Sequence, residues 1–207
     1  MTQPETVSLE RAAQDGAVRA QALGVHHLAL TTEDMKLTID FYVDVLGMPL
    51  VHVLKVREGL GSGPDNRGNP PFERIRHYFF DMGNDSLLAF FEIPKGQKPQ
   101  GDRDAIGGMQ HVAFTVTAQV FDDIQDRLTS MGVSFLGPIT ILKTSKSIYF
   151  FDPNGIRLEA TCLPATSDAG GVVASAAQRR ADARSELETI EGADQDWIER
   201  RLSAFED

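Results

Sequence analysis

In HHLALTT, residues 26–32, apolar and polar positions alternate: Leu28 and Leu30 share one side, and His27, Ala29 and Thr31 share the other. That is the period of a strand with one buried face. The next stretch, ending in DMKLTIDFYVDVLG, changes to the three-to-four spacing of an amphipathic helix and stops at Gly47, where a residue without Cβ suits the left-handed C′ conformation. From Gly108 the pattern recurs. GMQHVAFTV places Val112, Phe114 and Val116 on one side and His111, Ala113 and Thr115 on the other, and AQVFDDIQDRLTSMG is amphipathic up to Gly132. Downstream of each helix come a Tyr-Phe-Phe-Asp strand (RHYFFD, SIYFFD), a turn, and a last strand ending at Pro94 or Pro164. Asp152-Pro153-Asn154-Gly155 has proline second and glycine fourth, as a type I turn prefers. A βαβββ unit therefore occurs twice.

The predicted fold is α+β: two tandem βαβββ modules forming a curled mixed sheet around a central cleft, with extra helices at the termini. The expected divisions are an N-terminal helical extension (1–23), a first module (24–94), a linker (95–107), a second module (108–164) and an acidic helical tail (165–207). REGLGSGPDNRGNPPFER, residues 57–74, is long for a connection inside a compact unit, which makes it either a lid over the cleft or a solvated loop.

The same alternation locates candidate chemistry. In IRLEATCL, Leu158, Ala160 and Cys162 point to the helices, so Arg157, Glu159 and Thr161 point to the cleft. Counting back from the matching prolines puts Ala89 where the second module has Glu159, and Glu92 on the other face. The repeat thus offers four donor positions and fills three, with His27, His111 and Glu159. Two imidazoles and one carboxylate suit Fe(II), leaving open positions, and Mn(II) or Zn(II) would accept the same set. Tyr149 is a candidate catalytic phenol for binding or protonating a substrate oxygen; the alternative is a packed aromatic, supported by Tyr78 at the matching place in the first Tyr-Phe-Phe-Asp string. His26 is expected to be structural or to support a ligand, and His77 to face away from the cleft. His52 either lines the pocket or sits at a sheet edge. Phe91 and Phe151, with Phe41, are expected to face the pocket as substrate-binding aromatics.

Composition narrows the partners. Among 207 residues the formal net charge is −10, which argues against nucleic acid, because phosphate binding needs clustered Lys and Arg. The apolar runs are too short to span a bilayer, the N-terminus lacks a signal-peptide core, and a lone Cys162 allows no internal disulfide; a cytoplasmic location is expected. The tail segment SELETIEGADQDWIERRLSAFED mixes both charge signs at helical spacing and reads as a solvated or dimer-packing helix.

Taken together, HHLALTTEDMKLTIDFYVDVLG and YFFDPNGIRLE, each within its βαβββ unit, resemble the vicinal oxygen chelate superfamily of glyoxalases, bleomycin-resistance proteins and extradiol dioxygenases, over roughly residues 24–164. The resemblance implies metal ligands at the positions of His27, Ala89, His111 and Glu159, a small-molecule substrate with vicinal oxygens, and a homodimer. It is nearest in motif to the ring-cleaving extradiol dioxygenases, which use two His and a Glu and keep a tyrosine at the position of Tyr149. Those enzymes carry further acid–base histidines where this chain reads PKGQKPQGDRDAIGG and GPITILKTSK. The activity implied is a metal-dependent, dioxygenase-like oxygenase. The alternatives are a glyoxalase- or epimerase-type isomerase or lyase working through a metal-bound enediolate, and a metal-free ligand-binding protein of the bleomycin-resistance type.

Overall fold

A computed structural model of the chain describes residues 24–60, 70–141, 145–163, 171–203 and 205. The first module contains β1 (His27–Thr32), α1 (Met35–Asp40, continuing as a π-helical stretch Phe41–Val45), β2 (Leu50–Lys55), β3 (Arg76–Gly83) and β4 (Ser86–Glu92). The second contains β5 (Val112–Val116), α2 (Ala118–Ser130), β6 (Phe135–Ile141), β7 (Ser145–Phe151) and β8 (Arg157–Cys162). Each builds a four-stranded mixed sheet in the same order, β1-β4-β3-β2 and β5-β8-β7-β6, with the first and last strands of each module parallel. The N-terminal extension and residues 61–69 of the 57–74 loop lie outside the described residues.

Local chemistry sets the helix ends alike in both halves. Asp34 accepts from Leu37 N at 2.9 Å and Thr117 from Val120 N at 3.3 Å, each satisfying a first-turn donor. At the other end Gly47 and Gly132 take φ near +70°, and Met48 N and Val133 N reach back to the carbonyls of Tyr42 and Leu128.

Both modules contribute to one core. Leu28, Phe80, Leu88 and Phe90 of the first sheet pack in the same cluster as Phe114, Ile148, Phe150 and Leu158 of the second, with α1 and α2 between them. Phe41 is buried there against Phe150, ring centroids 6.4 Å apart, so it does not face a pocket: its place in the π-helical stretch turns it to the core. The halves thus join through their helix-bearing sides. A polar pin crosses this junction. Asp152, buried in the β7–β8 turn, accepts from Tyr42 Oη (3.1 Å), Asn154 N (2.9 Å), Asn154 Nδ2 (2.9 Å) and Ile156 N (2.7 Å). Asn154 in turn contacts Thr38 and accepts from Thr32 Oγ1 at 2.7 Å. Burial pushes the Asp152 carboxyl up from its ordinary range against the pull of these donors, and burial beside Asp152 pushes the Tyr42 phenol well up.

The C-terminal residues form a separate compact unit with α3 (Gly171–Ser175), α4 (Arg180–Leu187) and α5 (Gln195–Leu202). Ala183, Ile198 and Leu202 make its small core, and Arg184 pairs with Glu199 at 2.6 Å.

Candidate metal and substrate site

The sheet faces turned away from the core carry the polar pattern. On β8 the residues paired with β5 and β7 run Arg157, Glu159, Thr161, and beside them lie Phe151, Tyr149 and Ser147. Glu159 is almost fully buried, 3% exposed, although it is a carboxylate. Its Oε1 accepts from Thr161 Oγ1 at 2.9 Å, and Thr161 is bonded at 2.9 Å to Ser147 Oγ. Its Oε2 lies 3.0 Å from His111 Nε2. His111 precedes β5, and its other nitrogen, Nδ1, is hydrogen-bonded to the side-chain carbonyl of Gln110. That carbonyl also accepts from Arg157 Nη1 at 3.1 Å, and the Arg157 guanidinium lies over the Tyr149 ring, 4.4 Å from its centroid. The phenol of Tyr149 is pushed up from its ordinary pKa, first by burial and then by its hydrogen bond to Glu159. Tyr149 therefore stays protonated at neutral pH and serves as a donor.

A donor set is tested by what its lone pairs can do. With Nδ1–H committed to the Gln110 carbonyl, a neutral His111 presents a bare Nε2 lone pair to a carboxylate oxygen. Two acceptors at 3.0 Å repel unless a proton or a metal cation joins them. Donors bound at about 2.1 Å and at right angles to one ion sit about 3.0 Å apart, so the pair fits a divalent metal. Support of the ligating imidazole through its other nitrogen is the usual arrangement in such sites.

The equivalent face of the first module carries His27, Ala29 and Thr31 on β1, with Leu87, Ala89 and Phe91 on β4 and His77 and Phe79 on β3. His27 lies against Phe79 (6.1 Å) and against His26, whose Nδ1 is 2.8 Å from its own Nδ1. His52 also lies against Phe79, at 5.6 Å, and Phe91 stacks on His77 at 3.6 Å. Among the described residues no three His, Cys, Asp or Glu side chains of one chain come close enough to share a metal ion. The structure thus brings His111, Glu159 and Tyr149 together, and places His27, His52 and Phe91 on the corresponding face of the other module. Phe151 is 46% exposed at the rim beside Arg103.

Two sequence expectations are corrected here. His77 shares the face of His27 and does not turn away; burial holds its imidazole below the ordinary pKa. Tyr149 corresponds in strand pairing to Phe79, opposite Ala89, and not to Tyr78, which packs on the core. The two Tyr-Phe-Phe-Asp strings are displaced by one residue relative to the ladder, and a one-residue slip exchanges the faces. Gln110 went unnoticed in the sequence, although it precedes His111 as His26 precedes His27. Arg157 was assigned a face but no role.

Comparison with known proteins bears on these features. The family model described as the Glyoxalase/Bleomycin resistance protein/Dioxygenase superfamily matches residues 24–160. A 2-epi-5-epi-valiolone epimerase from Actinomyces sp is 29% identical over 151 residues, covering 70% of this chain and 81% of that protein. Metallothiol transferase FosB of Lysinibacillus sphaericus is 28% identical over 138 residues, 65% of this chain and 79% of that protein. The crystal structure of a glyoxylase/bleomycin resistance protein/dioxygenase domain from Frankia sp. EAN1pec superposes with a TM-score of 0.53 at 19% identity, over 68% of this chain and 98% of that one, and speaks for the fold. The duplicated βαβββ architecture and the match across both modules lead to one conclusion: the chain belongs to the glyoxalase/bleomycin resistance/dioxygenase superfamily, the vicinal oxygen chelate proteins.

Proposed function

We propose that this chain is a divalent-metal enzyme for a small substrate with vicinal oxygens, and that its reaction moves a proton on that substrate, as in an epimerase or lyase. The observation that carries this reading is the approach of His111 Nε2 to Glu159 Oε2 at 3.0 Å while Nδ1 is bonded to Gln110. A buried carboxylate without a cationic partner is costly, and a bound cation removes that cost. His27 is the third donor. It stands on an open face of the first module, so His27 of a second copy completes the set and the working form is a homodimer.

A divalent cation held there supplies Lewis-acid stabilisation of the negative charge that develops on a substrate oxygen. The chain's own groups do the rest. Gln110 holds the His111 ring in the tautomer that keeps Nε2 free, Thr161 fixes the Glu159 carboxylate, and Tyr149 Oη keeps its proton for donation to a substrate oxygen. His52, Phe91 and Phe151 form the surrounding substrate surface. Proton transfer is favoured over oxygenation because a related chain is named as an epimerase, and because neither 95–107 nor 137–146 supplies an imidazole.

An Fe(II) oxygenase is the second reading, favoured by the two-His, one-Glu donor set and by Tyr149 ten residues before Glu159. The test loads chelator-stripped protein with Mn(II), Zn(II) or Fe(II) under anaerobic conditions. It follows solvent deuterium exchange into vicinal hydroxy-ketones in one arm and oxygen uptake with catechols in the other. Exchange without oxygen uptake is expected, and it should vanish in Glu159→Ala. Fe(II)-dependent oxygen uptake without exchange would select the second reading, and failure to bind any of the metals would overturn both.

A further inference from the structure

Arg157 is the unspent group on this face. Arg157 is partly buried two residues before Glu159 on the same side of β8, which puts their Cα atoms about 7 Å apart. Its contacts are with neutral partners, the Gln110 carbonyl and the Tyr149 ring. No carboxylate pairs with it among the described residues, in a chain whose net charge is −10. Arg157 also lines a cavity of about 810 Å³ together with Lys98 and Arg103. Each acid on that cavity accepts from local donors, and Arg103 pairs with Asp104 at 3.6 Å. Glu33 accepts from Gly96 N, Asp102 from Asp104 N, and Asp152 from its four donors, whereas Lys98 has no acidic partner among the described residues. Positive charge held in place by neutral groups, beside a metal-donor pair and a cavity, has one evident complement, an anion brought by the ligand.

We propose that Arg157 is the anchor for an oxyanion of the substrate, a carboxylate or a phosphate-like group, on the same face as His111 and Glu159. This deepens the proposed function and rests on it for the identity of the ligand as substrate. Nη1 is committed to Gln110, and the remaining N–H groups of the stacked guanidinium face the incoming anion. Because Gln110 serves both Arg157 and His111, the acid group and the reacting end of the substrate are placed by one side chain. The substrate class follows: a compact hydroxy- or oxo-acid, or its phosphate or phosphonate counterpart, rather than a neutral sugar or catechol.

The experiment uses the full chain stripped of metal, with inorganic phosphate as probe read by phosphorus NMR line broadening and acetate read by competition. Saturable binding that weakens with added salt is expected, falling about tenfold in Arg157→Gln and less in Arg157→Lys, which keeps the charge but loses the planar fork. Preference for phosphate over acetate, or the reverse, tells which oxyanion the anchor takes. A control at the exposed Lys146, Lys146→Gln, should leave binding unchanged. Phosphate and acetate that bind Arg157→Gln as well as the unaltered chain, or that bind neither, would overturn the inference. Mn(II) affinity is measured in parallel on both variants. Arg157-dependent anion binding without any Mn(II) binding would leave the anchor standing and remove the metal reading; the converse would remove only the anchor.

Discussion

The two modules share strand order, helix caps and the open-face residues of their first strands, and differ along the open face of the third and last strands. Ala89 stands where Glu159 stands, Phe79 where Tyr149 stands, His77 where Ser147 stands, and Leu87 where Arg157 stands. What they keep in common is His27, Ala29 and Thr31 against His111, Ala113 and Thr115, with a neighbour on each imidazole Nδ1, His26 for His27 and Gln110 for His111. One copy of the fold has become an aromatic wall with one imidazole at its edge, and the other a polar surface with an imidazole and a carboxylate. The ladder tolerates either, because stability comes from the opposite face, where Phe80 and Phe150, or Leu88 and Leu158, are equally buried.

That contrast can be broken most forcefully at the carboxylate. Glu159→Ala is expected to weaken Mn(II) binding on the order of 100-fold or more, while Ala89→Ser at the matching place should change it less than about twofold; titration followed by electron paramagnetic resonance reads both. Equal effects would mean the second module does not hold the metal. The Asp152 pin exists in one module alone, and Asp152→Ala should cost about 2–3 kcal/mol in urea unfolding by leaving buried donors unpaired. Its carboxyl is raised in the fold, so its contribution is fullest at acid pH and is lost as pH rises through the raised value. The variant should lack that slope, and a slope that persists would assign it elsewhere. Gln110→Leu should lower Mn(II) affinity about tenfold, and His26→Leu comparably if the proposed dimer forms; no change in either would make these neighbours bystanders. The smallest effect belongs to the caps, where Asp34→Ala and Thr117→Ala should each cost about 1 kcal/mol, measured by thermal unfolding.

The duplication, the α+β class and the helix ends were legible because each rests on local rules: alternation, the 3.6 period, and glycine at C′. Strand parity also placed His27, His111, Glu159 and Ala89 on their faces. What misled was a resemblance of letters. RHYFFD and SIYFFD match by eye at a spacing of 71 residues, whereas the ladders match at 70, as the prolines after the last strands do. Hydrogen-bond pairing, not string identity, decides which side a tyrosine takes, so His77 and Tyr78 were assigned to each other's faces. Gln110 and Arg157 were illegible for another reason: their roles lie in contacts with His111 and Tyr149 across strands, which no local period records. Phe41 was misplaced because a π-helical stretch rotates the residues after Asp40 away from the α-helical phase.

The four-donor pin at Asp152 has a consequence for assembly. It ties the two modules of one chain to each other, so that in the proposed homodimer each copy would present a preformed surface. Dimerisation, if it follows the proposed function, would then carry no ordering cost at that junction.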